Sequence, residues 1–558
     1  MLPLKKWKIV NTDYGKSVIS VILENRQLPA EHLDDFRLSE RLHDPDLLND
    51  MGKAVERILQ AVKNEETIGI FGDYDVDGIV STVLMLKFFE KINYPNVHYF
   101  IPNRQRDGYG LKPQGIIEAQ EKGVNLLITV DNGISAHEAI ELSQQKNLDV
   151  IVTDHHLQER ELPPAVAIVN PNRQDSTYPF NGLCGAGVVY KLFQVLGPRF
   201  FSEDAYKAFM LDQLDLIALA TIADIAPIRD ENYAMVKFGL KSLTKTLRPG
   251  IVELKRVSGL LGKTITPISV GYYLAPRLNA AGRLGDAGLA LKLLLSTTRE
   301  EANRYAIELN QLNNKRQQLQ EQYITQAIES IQYDESEDTP VYIVENADWD
   351  PGIIGIISGK LKDRFYRPVL AFTRDYDGNY VGSGRSIEGF HMTEALGRFS
   401  DLYINYGGHQ KAAGLTIAPD NYIRFKQDFM QYVTGNFDTQ EIIPTLTIDT
   451  VIRTEDLTES LISGIQDIGP YGEDNPEPVL MIEKVFVRDI FMMSAGKHLK
   501  FVVEKNGSKY ECVWWNKGNL KDALSFDMQL DVAFKPSMNS WNGNRKIQLT
   551  VEDVKPLS

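Results

Sequence analysis

A chain of 558 residues, 43% hydrophobic and 24% charged, is too long for one core and is expected to divide into three or four domains. It holds no uninterrupted apolar run of membrane-spanning length, and the basic start "MLPLKKWKIV" passes into "NTDYGKS" without the apolar core of a signal peptide, so the expected location is cytoplasmic. The net charge of −15, from 60 Lys and Arg against 75 Asp and Glu, excludes a surface coated in basic residues, yet a local basic groove on an acidic body can still hold phosphate. Cys184 and Cys512 are far apart and form no metal-ligand pair, so neither a disulfide framework nor a zinc site is indicated.

From about Gly52 to Ile168 an apolar run, an acidic or polar turn and an amphipathic stretch recur: "ETIGIFGDYD" before "GIVSTVLMLKFFEKI", "NLLITVDNG" before "SAHEAIELSQQ", then "LDVIVTDHH". This is βα alternation and predicts a mostly parallel sheet. Asp73, Asp75 and Asp77 fall within five positions at the end of the first expected strand, Asp131 ends the second, and Asp154, His155 and His156 end the third. Two carboxylates about 4 Å apart repel by roughly 4 kcal/mol at an effective dielectric near 20, so the cluster calls for cations. Hard carboxylates with one or two imidazoles suit Mg²⁺ or Mn²⁺, the latter tolerating nitrogen better, and the carboxyl edge of an open α/β sheet is where ligands bind. A single acidic turn is weak evidence; three at successive strand ends are much stronger.

Between Leu289 and Thr339 there is no Gly or Pro, and "TREEANRYAIELNQLNNKRQQLQEQYITQAIESI" is rich in helix formers. One helix of some 35 residues, spanning about 50 Å, is expected. A second α/β pattern runs from "PVYIVEN" through "GIIGIISGKLKDRF" and "RPVLAFTRD" to about Gly435. From Ile442 the runs become short and strand-like, with Asn506-Gly507 and Asn542-Gly543 as hairpin signals. A small closed β domain of OB-like form fits, with Trp514, Trp515, Phe534 and Trp541 as base-stacking faces beside Lys500, Lys509 and Arg545, or else as core.

The segments "GDYDVDG", "IPNRQRDGYGL", "TVDNG", "VTDHH", "VNPNRQDSTYPFNGLCGAGVVYKL", "LDLIALATIADIAP", "APRLNAAGRL", "GSGRS" and "YGGHQKAAG" together resemble the DHH phosphoesterase family over nearly the whole chain, and within it the branch of single-strand-specific exonucleases. The resemblance implies an N-terminal segment over 1–50, a DHH catalytic domain over 51–296, a connecting helix over 297–335, a smaller DHH-associated α/β domain over 336–441 and an OB-like domain over 442–558. It implies two divalent ions, Mn²⁺ or Mg²⁺, on Asp73, Asp75, Asp77, Asp131, His155 and Asp224, although an aspartate placed like Asp224 is more often a cap. Catalytic roles fall to Asp75, Asp77, Asp131, His155, His156 and Asp224. His156 is expected to face the scissile phosphate, with Asp154 either orienting an imidazole or serving as a plain turn residue.

On the substrate side the resemblance implies Arg104, Arg277, Ser383 and Arg385 around a terminal 5′ phosphate, with Arg283 near the metals or the strand. His409 adds a donor, and the glycines of the last two motifs are expected to make tight turns that bring backbone N–H groups to phosphate. Asp350 and Tyr233 depart from the family pattern and are expected to make the surface less basic. The implied function is 5′→3′ exonucleolytic degradation of single-stranded DNA to mononucleotides in repair and recombination, with a single strand bearing a 5′ end, a helicase and a single-strand-binding protein as partners and no membrane. The alternatives are a phosphodiesterase of short oligonucleotides or cyclic dinucleotides, and a DNA-holding scaffold without catalysis.

Overall fold

The structure is a computed structural model and is described for residues 2, 4–13, 15–33, 36–103, 108, 110–332, 339–437, 442–541 and 544–557. The chain forms two compact units, one of residues 36–437 with 472–474 and one of residues 1–35, 438–471 and 475–558. No helix is long and apolar enough to cross a membrane among the described residues.

The larger unit begins with an all-parallel five-stranded sheet, ordered Val97–Phe100, Ile68–Phe71, Leu126–Val130, Asp149–Thr153, Ala167–Val169. Its strands bury both faces by strict alternation: Ile68, Ile70, Ile128, Val130 and Ile151 point to one core, and Phe71, Leu127, Val150 and Val152 to the other. The chain leaves Ile68–Phe71 in one direction for Val97–Phe100 and returns on the other side as Leu126–Val130. The reversal opens a crevice between the two neighbours at their carboxyl ends, where the sequence places Asp73, Asp75 and Asp131.

The expected long helix runs Arg299–Gln332, 34 residues, about 50 Å at 1.5 Å per residue. Its first half puts Ala302, Ala306 and Leu309 into the core of the parallel sheet. Its second half puts Tyr323, Ala327 and Ile331 into a separate core with Trp349, Ile354 and Leu361. The apolar positions recur every three or four residues within each half, and one rigid element therefore belongs to two cores.

That second core lies under a mixed sheet ordered Tyr403–His409, Ala412–Ile417, Tyr380–Arg385, Val369–Arg374, Tyr342–Glu345, in which only the last pair is parallel. The glycines of "GSGRS" and "YGGHQKAAG" correct the expectation of tight turns: they lie within strands, and the hairpin bends at Gln410-Lys411. Gly382 is needed for packing, since a β-carbon there would sit 2.4 Å from the Phe372 ring. Tyr233 is also corrected. It is buried, 6.3 Å from the Phe36 ring and hydrogen-bonded by Lys237 Nζ at 3.0 Å, so it does not change the surface.

In the smaller unit Leu480–Met493, His498–Lys505, Ser508–Trp514, Asn544–Pro556 and Gln529–Trp541 pair in that order, and the last pairs back to the first. This closes a five-stranded barrel of the expected OB-like kind. Asn506 and Gly507 take φ of 53° and 80° in the turn between its second and third strands, the left-handed pair that a two-residue hairpin requires; the Asn542-Gly543 signal lies outside the described residues. The stacking faces need correction. Trp514 and Phe534 are 2% and 0% exposed in the barrel core, which matches the alternative reading of them as core, and among the described side chains of the expected set Trp515, at 49%, offers a face; the Trp541 side chain lies outside the description. Lys500, Lys509 and Arg545 are drawn to Glu511, Glu504 and Glu459, which reduces the expected basic groove.

The N-terminal strand Lys6–Asn11 joins this unit, parallel to Thr445–Val451. Buried Asp553 holds it: Oδ1 accepts from Leu4 N at 3.1 Å, and Oδ2 from Lys5 N at 3.0 Å and Trp7 Nε1 at 2.9 Å. Asp553→Asn keeps the shape but removes the charge, and is expected to destabilise this unit by about 1.5 to 3 kcal/mol. A lower urea midpoint for its unfolding transition is the check.

Candidate metal centre

Three segments deliver the acidic residues to the crevice. Asp73 follows the first strand and is buried. Asp75 caps the helix Val76–Lys91, its carboxylate accepting from Gly78 N at 3.1 Å. Asp77, in the first turn, is fixed from outside: Oδ2 accepts from Gly185 N at 2.6 Å and Oδ1 from Ala186 N at 2.9 Å, at the start of the helix Gly185–Leu196. Gly185 has to be glycine, because a β-carbon there would lie 2.6 Å from Asp131 Cβ. Asp131 ends its strand with φ of 63°, which turns its side chain into the crevice. Asp224 arrives at the end of the helix Leu214–Ala223.

Asp77, Asp131 and Asp224 meet around His155. Its Nε2 lies 3.0 Å from Asp131 Oδ1, 3.8 Å from Asp77 Oδ2 and 3.9 Å from Asp224 Oδ2, and it is buried without making a hydrogen bond. A buried nitrogen aimed at three carboxylate oxygens, bonded to none, is the arrangement of a ligand shell. Three groups bring their donor atoms within 4.8 Å: Asp73, Asp75 and Asp131; Asp77, His155 and Asp224; and Asp131, His155 and His156. Asp131 and His155 each belong to two, so the donor set fits adjacent hard cations sharing ligands.

The electrostatics agree. Burial, then the charges of Asp77 and Asp75, push Asp224 up to about 9. Burial and the charge of Asp77 raise Asp75 and take Asp131 well above the carboxylate range. His156 differs: burial would lower it, but the charge and hydrogen bond of Asp154, whose Oδ1 accepts from Nδ1 at 2.7 Å, raise it to about 9. Asp154 itself, despite burial, is drawn down to about 2 by His156. It also accepts from the backbone N of His155, His156 and Ile134 at 2.7, 3.1 and 2.9 Å. Of the two readings of Asp154, the orienting one matches these contacts.

Sequence reasoning missed the residues holding the other side of this turn. Asn170 Nδ2 donates to His156 O at 2.9 Å, and Asn172 Nδ2 to His155 O at 2.6 Å. Asn232 Nδ2 bridges Gly182 O and Pro227 O at 2.7 and 3.0 Å, tying the segment before Gly185 to the one after Asp224. The "VNPN" motif was the only available signal for the first two.

The substrate-side residues divide into groups. Arg385 Nη1 donates to Ser383 Oγ at 3.2 Å, and both side chains face Gly355, in the first turn of the helix Ile354–Phe365, within about 3.2 Å of where its β-carbon would be. Arg283 donates to Gly352 O at 2.9 Å in the loop before that helix, where Asp350 accepts from Gly352 N at 2.7 Å. Arg277 is held on the long helix by Asn310 Oδ1 at 3.0 Å. His409 is exposed and lines a cavity of about 470 Å³ with Lys112, His137, Arg160, Asp154 and His156. Arg104 lies outside the described residues.

The model of the DHH family, N-terminal domain, matches residues 67–221, that of the DHHA1 domain 338–435 and that of the RecJ OB domain 448–553. The single-stranded-DNA-specific exonuclease RecJ of Haemophilus influenzae is 32% identical over 572 residues, covering 97% of this chain and 98% of that protein. The chain belongs to the RecJ family. The Bacillus subtilis RecJ is 36% identical over 514 residues, and the chain spans 64% of its length. A crystal structure of RecJ from Thermus thermophilus in complex with Mn²⁺ superposes with a TM-score of 0.84 at 26% identity, covering 100% of this chain and 80% of that one; the Mg²⁺ complex gives 0.79.

The raised carboxyls give a pH signature. A group whose folded pKa lies above its unfolded value stabilises the fold fully below the unfolded value and loses that contribution as pH rises through the folded one. For Asp224 the window runs from 3.8 to about 9, so the metal-free RecJ-family chain should lose stability between pH 5 and 8. A divalent cation, which replaces the proton, should raise the melting temperature more at pH 8 than at pH 6. Equal gains at both pH values, by scanning calorimetry, would remove the carboxylate cluster as the binding site.

Proposed function

We propose that this chain is a divalent-metal-dependent 5′→3′ exonuclease that degrades single-stranded DNA to mononucleotides, working in the cytoplasm in DNA repair and recombination. The observation that carries the reading is the ligand shell around His155 Nε2, in a chain that belongs to a family whose relatives are single-stranded-DNA-specific exonucleases. Asp73, Asp75, Asp77, Asp131, His155 and Asp224 are the residues proposed to hold two ions, Mn²⁺ or Mg²⁺. Ions held by these residues would supply Lewis-acid polarisation of the phosphodiester and activation of a water for in-line attack.

The chain's own residues do the rest. Asp154 keeps a proton on His156 Nδ1 and so aims the opposite ring edge, a cationic donor, at the phosphate. Water adds to phosphorus, the bond from phosphorus to O3′ of the terminal nucleotide breaks, and O3′ takes up a proton. The released mononucleotide keeps its 5′ phosphate, and the shortened strand carries a new one. Arg385 and Ser383 beside the helix Ile354–Phe365, with Arg104, are the proposed holders of that terminal phosphate, because a guanidinium matches phosphate geometry and a helix start adds N–H groups; Arg277, bound instead to Asn310 of the long helix, is assigned to the strand. Each turnover thereby regenerates the recognised end. A helicase and a single-strand-binding protein are the partner classes that suit an enzyme consuming unwound ends.

Asp131→Ala should lower nuclease activity by at least several hundredfold at saturating Mn²⁺ while the fold persists, since Asp131 belongs to two donor groups. Strands labelled at either end separate the readings: labelled mononucleotide released first from the 3′ label would reverse the polarity, and no release in either metal would leave a DNA-holding scaffold. Arg385→Ala should act mainly on strands bearing a 5′ phosphate and cost about 1.5 to 3 kcal/mol in kcat/KM, one charge-assisted contact. If 5′-hydroxyl strands lose as much, Arg385 serves another phosphate.

A further inference from the structure

The long helix carries a second concentration of like charge, of the opposite sign. Arg277 reaches it from the helix Ala275–Leu284, donating Nε to Asn310 Oδ1 at 3.0 Å and Nη1 to Tyr273 O at 2.7 Å. Two turns on, Arg316 folds back along the helix, donating Nε and Nη2 to Asn313 Oδ1 at 3.3 and 3.1 Å and Nη1 to Gln320 Oε1 at 3.0 Å. Asn310 and Asn313 are three positions apart and share a helix face, with β-carbons about 5 to 6 Å apart, so the two guanidiniums are bound to adjacent points on one surface. Asn313 is 1% exposed, and its Nδ2 makes no hydrogen bond.

Two guanidiniums therefore gather beside the buried Asn313 amide, where their acceptors are neutral amides and one carbonyl. In a chain with 15 more acidic than basic residues, neither guanidinium has a carboxylate at ion-pair distance among the described residues, whereas Arg57, Arg173, Arg248 and Arg488 each have two. Burial lowers both, and the charge of Arg277 lowers Arg316 further. Half-buried like charges without a counterion destabilise a fold unless an anion visits them.

We propose that Arg277 and Arg316, bracketing Asn313, form a site for one internal phosphate of a bound single strand, with Arg316 a substrate-binding residue contributed by the connecting helix. The inference rests on the single-strand reading above for its ligand, but the anion site itself does not. Because one rigid helix enters both cores of the larger unit, a phosphate gripped at its middle is held at a fixed place relative to both sheets.

The test uses the full chain with Arg316→Gln and Arg316→Lys. Binding of oligothymidylates bearing a 5′ hydroxyl or a 5′ phosphate is measured by fluorescence anisotropy, in Ca²⁺ to suppress cleavage, from 50 to 400 mM NaCl. Arg316→Gln is expected to weaken binding about three- to tenfold and to reduce the slope of log affinity against log salt by about 0.7, the value for one phosphate contact on a single strand; Arg316→Lys should keep most of the slope. Relief of repulsion should leave the melting temperature of Arg316→Gln equal to or above that of the unaltered chain. An unchanged slope, a loss confined to 5′-phosphorylated strands, or a drop of several degrees in melting temperature would each overturn the assignment. If the unaltered chain binds no single strand, the function proposed above fails, and the anion site is judged with inorganic pyrophosphate: stabilisation lost in Arg316→Gln supports it, and no stabilisation overturns it.

Discussion

Repulsion among carboxylates crowded at the edge of a parallel sheet is the constraint around which the larger unit is organised. Asp73, Asp75, Asp77, Asp131 and Asp224 are buried or half-buried, Asp77, Asp131 and Asp224 lie within 4 Å of one imidazole nitrogen, and beyond the effect of burial the charge of Asp77 raises the proton affinity of Asp75, Asp131 and Asp224. Such a cluster can persist only on a scaffold that overdetermines each position. The scaffold supplies this through backbone: two N–H groups on Asp77, three on Asp154, and asparagine amides on the carbonyls of both signature histidines. The stored repulsion becomes affinity for divalent metal.

The same logic, with the sign reversed, applies to the substrate side. The guanidiniums of Arg277 and Arg316 are held by neutral partners, so their charge stays available to an anion. The helix Arg299–Gln332 connects the two regimes mechanically, since its apolar positions are consumed in two separate cores. A helix that is polar along its middle and anchored at both ends is suited to present donors without itself moving.

Glycine and tryptophan show how residue type misleads when its surroundings are unknown. The glycines of "GSGRS" suggest turns because glycine tolerates unusual backbone angles, yet here they are required by what packs above a strand. Trp514 and Trp515 are adjacent in sequence, yet the first ends a strand with its ring in the core and the second, in the turn that follows, is exposed to solvent. An aromatic residue in a strand is read correctly only once the phase of the alternation is known.

The sequence by itself determined the elements whose signals are local: the parallel sheet with acids at its strand ends, the long helix, the Asn506-Gly507 hairpin and the closed β domain. Each follows from periodicity or turn chemistry within about a dozen residues. Asp224 was reached only by resemblance, since a lone aspartate at a helix end carries no spacing signal. The tertiary structure alone decided which groups hold the acids and what faces the arginines: Asp77 is bound by N–H groups 108 and 109 positions away, and Arg277 by an asparagine 33 positions away on another helix. Contacts of that separation leave no periodic trace in one chain, because they depend on how elements pack and not on how each one forms.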